Sequence, residues 1–204
     1  MLGHSFPTRR SSDLFAHIPG LKVVCPATPE DAKGLLATAI EDPNPVLFFE
    51  HKHLYRRIRG EVPDDRYTTP FGKARVHRQG DDVTVITWGA MVYTADEAAA
   101  KLAEDGVSVE ILDLRTLIPW DREAVLESVE RCSKVLVLHE DTKTGGFGGE
   151  IAATIGEEAF EQLDAPVRRL AAPDSPVPFA PSLEKAYIPQ VEDVAAALRD
   201  LAAY

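Results

Sequence analysis

Short runs rich in valine, isoleucine and leucine recur along the chain, each followed by a stretch with helical periodicity. That alternation constrains the fold more than any other feature. Val83–Thr87, Val109–Leu114, Val135–His139 and Val167–Leu170 read as buried strands. Met91–Asp105, closed by Gly106, reads as a helix, as do Asp121–Cys132 with Asp121 as its cap, Gly148–Leu163 and Gln190–Ala203. Strands that are apolar on both faces and joined through helices predict an open, mostly parallel α/β sheet covered on both sides. With 204 residues, the chain has room for one or two such domains.

A smaller unit of the same kind precedes this pattern. Leu21–Val24 is β-rich and is ended by Pro26; Thr28 then offers an N-cap, Pro29 a first helical residue and Glu30 an acid for the first turn. The helix is expected to reach about Ile40, with Ala32, Leu35, Leu36, Ala39 and Ile40 as its apolar stripe. Asp42-Pro43-Asn44-Pro45 breaks it, and Val46–Phe49 reads as a fully buried strand, which completes a βαβ unit. Lys52–Gly72 is charged and aperiodic, and is expected to leave the first unit as a connection wrapped over a surface or a partner. The first 14 residues, MLGHSFPTRRSSDL, share none of this patterning. Their arginines and serines loosely resemble a transit peptide, but they also hold an acid and a proline and lack an apolar stretch of signal-peptide length. They read as a foreign segment.

The formal net charge of -11 argues against a nucleic-acid backbone or an anionic membrane as the main partner. No apolar run approaches the length of a membrane span. Cys25 and Cys132 lie in different segments, so a disulfide framework is not expected, and both fit buried thiols of a reducing cytoplasm.

Ligands of open α/β sheets gather at the carboxyl ends of strands, and several places here carry suitable chemistry. At Ala39-Ile40-Glu41-Asp42-Pro43-Asn44 a helix end leaves carbonyl oxygens for a hard cation, although an ordinary αβ turn accounts for the same residues. His139-Glu140-Asp141 precedes Thr144-Gly145-Gly146-Phe147-Gly148-Gly149, which lacks the lysine and spacing of a phosphate loop. Its glycines read better as close packing of helix on sheet, and His139 better as a hydrogen-bonded structural residue than as an acid/base. Arg115 is expected to pair with a nearby acid such as Glu140. His51 and His53 lack an obvious third metal ligand.

From Phe15 to Tyr204 the stretches FAHIPGLKVV, DAKGLL, FFEHKHLYR, DVTVITWG, LDLRTLIPWD, TGGFGGEIAA and IPQVEDV together resemble the β-subunit of the thiamine-dependent decarboxylating component of 2-oxo acid dehydrogenase complexes. Branched-chain members are favoured, with pyruvate and acetoin members next. The resemblance implies a pyrimidine-binding remnant over residues 15–60, a linker over 61–72 and a transketolase C-terminal-like domain over 73–204 with a mostly parallel sheet. Residues 1–14 stay unrelated. It implies an assembly with an α-subunit and a second β-subunit around thiamine diphosphate and magnesium. For His51 and His53 it implies contact with a partner subunit. That assembly decarboxylates a 2-oxo acid oxidatively and passes the acyl group to the lipoyl arm of an acyltransferase core docked through its subunit-binding domain. The compartment is the cytoplasm, or the mitochondrial matrix in a eukaryote. A structural potassium site of the family maps to Ala39, Ile40, Asp42 and Asn44. The family's activating glutamate is expected upstream of residue 1. Its histidine pair would fall near Phe6 and Pro7, with His4 out of register, so no catalytic or cofactor-binding role passes to any residue here. A non-catalytic docking and dimerisation module is the competing description, and Ile188–Tyr204 is the candidate docking region.

Overall fold

The computed structural model describes residues 8–204; His4, Phe6 and Pro7 lie outside the described residues. Helix α1 (Thr8–Ala16) leads into strand β1 (Lys22–Val24), helix α2 (Pro29–Glu41) and strand β2 (Val46–Phe48). The cap of α2 is as the residue types predict. Thr28 Oγ1 accepts the Asp31 N–H at 3.2 Å, Pro29 opens the first turn, and Glu30 and Asp31 face the positive end of the helix.

After the connection come β3 (Arg75–Arg78), β4 (Val83–Thr87), α3 (Met91–Glu104), β5 (Val109–Asp113) and β6 (Thr116–Ile118). The chain closes with α4 (Arg122–Cys132), β7 (Val135–Thr142), α5 (Gly148–Glu158), β8 (Arg168–Ala172), α6 (Pro181–Tyr187) and α7 (Val191–Ala202). Five strands form the main sheet in the order β3-β5-β4-β7-β8. All neighbours are parallel except β3, which runs antiparallel to β5 at the edge. The period-2 alternation of β4 sorts its side chains. Val83 and Val85 pack with α3 and α7, while Ile86 packs with α4 and α5.

The smaller sheet has the order β2-β1-β6, and its third strand comes from beyond the linker. β2 runs parallel to β1; β6 runs antiparallel on the other side, and the Cys25 N–H extends that side by donating to Arg115 O at 2.8 Å. The two units are therefore joined through shared backbone pairing as well as through side chains.

Three expectations need correction. Val46–Phe48 is half-buried rather than fully buried, because β2 is the edge of its sheet. The α2 stripe is only partly covered: Leu35 is buried, but Leu36 is 43% and Ile40 77% exposed. The helix expected over Gly148–Leu163 ends at Glu158 and is followed by a 3₁₀ turn at Phe160–Gln162. The Lys52–Gly72 connection does lie over a surface, that of α2. Thr69 N–H donates to Gly34 O at 3.0 Å, Thr38 Oγ1 to Thr69 O at 2.7 Å and Tyr67 Oη to Glu30 O at 2.7 Å. A Cβ at Gly34 would stand 2.1 Å from Thr69 Oγ1, which is why a glycine interrupts this helix.

Candidate functional site

The carboxyl ends of β1, β2 and β4 and the last residues of β7 converge on a cavity of about 50 Å³ between the two units. Cys25, Glu50, His51, Trp88 and Glu140 bound it, with Asp13 of α1 closing one side. His51 Nε2 lies 3.1 Å from Glu140 Oε2. Asp13 accepts the Phe147 N–H at 2.8 Å; burial nonetheless pushes its carboxyl up to about 6, and Asp141 and Glu140 add to the rise. Burial also pushes the Cys25 thiol well up, helped by Asp13, Asp113 and Glu140, so it is not an activated nucleophile. The cavity is a negatively charged junction. It suits a cationic group and opposes a phosphate.

His139 stands beside this junction on β7. Its ring stacks on Trp88 with centroids 5.5 Å apart and planes 6° apart, and it is 1% exposed. Neither ring nitrogen has a hydrogen-bond partner among the described residues, so the hydrogen-bonded histidine read from the sequence is overturned. Burial, with Arg169 nearby, lowers its pKa to about 4, and the ring is neutral at pH 7. The glycines that follow make room for it: a Cβ at Gly146 would meet His139 Cε1 at 2.5 Å, and one at Gly148 would meet Nε2 at 2.6 Å. They pack against this ring rather than present amides to an anion.

The residues expected to hold a cation lie together at the end of α2. Helical carbonyls are normally paired with the N–H four residues on. For Ala39 and Glu41 that residue is Pro43 or Pro45, which has no N–H, and for Ile40 it is Asn44, whose N–H goes to Asp42 Oδ1 at 2.9 Å. Three carbonyls thus leave the helix without their ordinary donors. The Asp42 carboxylate is already engaged by Lys22 and by both the amide and the side chain of Asn44, which together lower its pKa to about 2. No group of three or more His, Cys, Asp or Glu side chains among the described residues has metal-holding geometry. His51 and His53 meet edge-on, with centroids 6.0 Å apart.

Arg115 pairs with Asp31 at 2.8 Å, and not with Glu140, which takes His51 instead. Arg115 has a φ of 59°, and this left-handed turn carries its guanidinium across to α2 while Nε and Nη2 reach Lys73 O and Ala74 O. The sequence marks the Asp31 region only as the acidic first turn of a helix. No local signal ties that aspartate to an arginine 84 positions away.

The Transketolase, C-terminal domain family matches residues 72–194, and the Transketolase, pyrimidine binding domain family matches residues 8–57. The chain is 52% identical over 192 residues to the 2-oxoisovalerate dehydrogenase subunit beta of Bacillus subtilis (strain 168), covering 94% of this chain and 59% of that relative. It is 50% identical over 186 residues to an acetoin:2,6-dichlorophenolindophenol oxidoreductase subunit beta of Cupriavidus necator, covering 91% and 55%. A solved split-gene transketolase, described as an inactive beta4 tetramer, superposes with a TM-score of 0.79 at 26% identity over 96% of this chain and 61% of that one. The chain thus spans somewhat more than half the length of the curated relatives it matches.

Proposed function

This chain belongs to the transketolase family, carrying its C-terminal domain and part of its pyrimidine-binding domain, and on that premise we propose that it serves in the β-subunit of a 2-oxo acid dehydrogenase decarboxylating component. The observation that carries this reading is the 52% identity to a 2-oxoisovalerate dehydrogenase β-subunit, sustained over 94% of the chain. Branched-chain 2-oxo acids are the favoured substrate class, with acetoin and pyruvate as the alternatives. The reaction is oxidative decarboxylation with acyl transfer to a lipoyl arm.

Thiamine diphosphate with magnesium is the cofactor of that reading, but the residues described here do not fit it. The junction cavity is lined by Glu50, Glu140 and Asp141 with Asp13, and the Phe147 amide in the glycine turn is taken by Asp13. A diphosphate placed there would meet like charge. Groups outside these residues would hold the cofactor, and no catalytic step is assigned to a side chain of this chain. What the chain contributes is a scaffold and interfaces.

Potassium fits better. The carbonyls of Ala39 and Ile40, left without their ordinary helical donors, would suit a hard, weakly charged cation at the end of α2. Asp42 and Asn44 complete the turn through main-chain oxygens, since the Asp42 carboxylate is held by Lys22. Docking of the acyltransferase core through Ile188–Tyr204 would use the outer face of α7. Its inner face, with Val194, Leu198 and Leu201, is committed to the core, whereas Tyr204 is 69% exposed. Two buried thiols that form no disulfide support a reducing compartment, the cytoplasm or a mitochondrial matrix.

The test is assembly. The chain is co-expressed with α-subunits of branched-chain, acetoin and pyruvate systems, each tagged for capture. Preferential co-purification with the branched-chain α-subunit supports the reading, and failure to retain any of the three sinks it. Retention of an acyltransferase subunit-binding domain without any α-subunit would favour the docking-module description.

A further inference from the structure

Where α2 meets the C-terminal sheet, two buried carboxylates meet two half-buried guanidiniums, with more hydrogen-bonding capacity than they use. Asp31 Oδ1 accepts from Arg115 Nη1 at 2.8 Å, and Asp31 Oδ2 lies 3.1 Å from Arg75 Nη1. Behind them, Asp113 on β5 is in register with Arg75 on β3 and with Thr87 on β4. Residues directly opposite on neighbouring strands point to the same face, so Arg75, Asp113 and Thr87 form one row. Asp113 Oδ1 accepts the Arg115 N–H at 3.0 Å. Each member of the row keeps one buried atom without a partner among the described residues: Arg75 Nε, Asp113 Oδ2 and Thr87 Oγ1. Unmade bonds of this kind are costly inside a protein, and here they leave Arg75 a choice of two carboxylates.

We propose that this quartet is a proton-operated latch between the two units. With Asp113 protonated, Arg75 stays on Asp31 across the seam; with Asp113 ionised, Arg75 turns back to Asp113 within its own sheet and Asp31 keeps Arg115 alone. The groups facing Asp113 are Arg75 from β3, Arg115 from the turn after β5, Asp31 from α2, the Cys25 thiol beyond β1 and the Tyr93 phenol from α3. Burial raises the Asp113 carboxyl to about 7; the Arg115 amide, Arg75 and the Arg115 guanidinium oppose the rise, and the Asp31 charge reinforces it. The latch is therefore closed below neutrality and loosened above it. Its moving part is the α2 contact, while the shared β1–β6 pairing stays in place.

Amide hydrogen exchange across α2 reads the latch directly, at pH values about one unit either side of neutrality and corrected for intrinsic exchange. In the full chain, protection of the first turns of α2 falls about tenfold as Asp113 gives up its proton. Asp113→Asn keeps the protection at both pH values, and Asp31→Asn lacks it at both. An unchanged pH step in Asp113→Asn, or no step in the unsubstituted protein, overturns the proposal. Titration of the Asp113 carboxyl carbon by NMR in the unsubstituted chain decides the matter even where a variant fails to fold. A midpoint in the ordinary aspartate range overturns it, and one near neutrality supports it.

Discussion

Flat against Trp88 and 1% exposed, His139 has no room for a charge. Its folded pKa of about 4 lies below the ordinary 6.5, so the neutral ring is what the fold stabilises. That contribution is full above 6.5 and is lost as pH falls toward 4, because the unfolded chain takes a proton there and the folded chain does not. The gap corresponds to roughly 3 kcal/mol. His139→Phe, which keeps the stack, should lose about that much less stability between neutral pH and pH 4 in urea titrations; an identical loss would show that the ring is not buried neutral. Gly146→Ala tests the same packing from the other side. Its Cβ would meet Thr142 O at 2.4 Å as well as the ring, and backbone cannot yield cheaply, so a destabilisation of about 1–3 kcal/mol is expected. The sequence showed a histidine followed by glycines and, far upstream, a Trp-Gly pair. That these meet depends on the register of β4 on β7, partners some fifty residues apart, which no local pattern encodes.

Elements that form their own contacts were legible; elements completed by distant ones were not. The α2 cap was readable because Thr28, Pro29 and the first-turn acids act within four residues. β4 matched its apolar run residue for residue. β3 escaped because Arg-Val-His-Arg has no apolar face, and β6 because three residues of a turn become a strand only by pairing with β1. The turn proposed to hold a cation was legible as a turn: Pro43 and Pro45 announce carbonyls without their helical donors, but the Lys22–Asp42 pair appears only once β1 lies beside it. Potassium chloride at fixed ionic strength should raise the melting temperature by a few degrees relative to tetramethylammonium chloride, with sodium intermediate. Indifference to the cation would remove the site. The outer face of α2 carries a separate expectation. Leu36 and Ile40 are exposed beside an edge strand, which favours self-association. Ile40→Glu should shift the chain toward smaller species in light scattering, and a monodisperse unsubstituted chain would show that the face is harmless.

The whole molecule is tied together at a place where sequence reasoning drew a boundary. A pyrimidine-binding remnant, a linker and a C-terminal domain describe the order along the chain. In space, β6 crosses back to complete the first sheet and Asp31 reaches forward to two arginines of the second unit. Leu117, at the centre of β6, is fully buried in the cluster that also takes in Val23 of β1, Leu112 of β5 and Val129 of α4. A core that draws on both sheets cannot lose one without exposing the other, so thermal unfolding should be a single transition. Leu117→Ala removes packing from both units at once and is expected to cost about 2–5 kcal/mol. The size matters less than the form of the change. If the units are coupled as the shared sheet implies, the substitution moves one calorimetric transition as a whole, with the calorimetric and van't Hoff enthalpies still in agreement. If they were independent domains joined by a linker, the melt would split and only one component would respond. That splitting is the result that would overturn the view of residues 8–204 as one cooperative body.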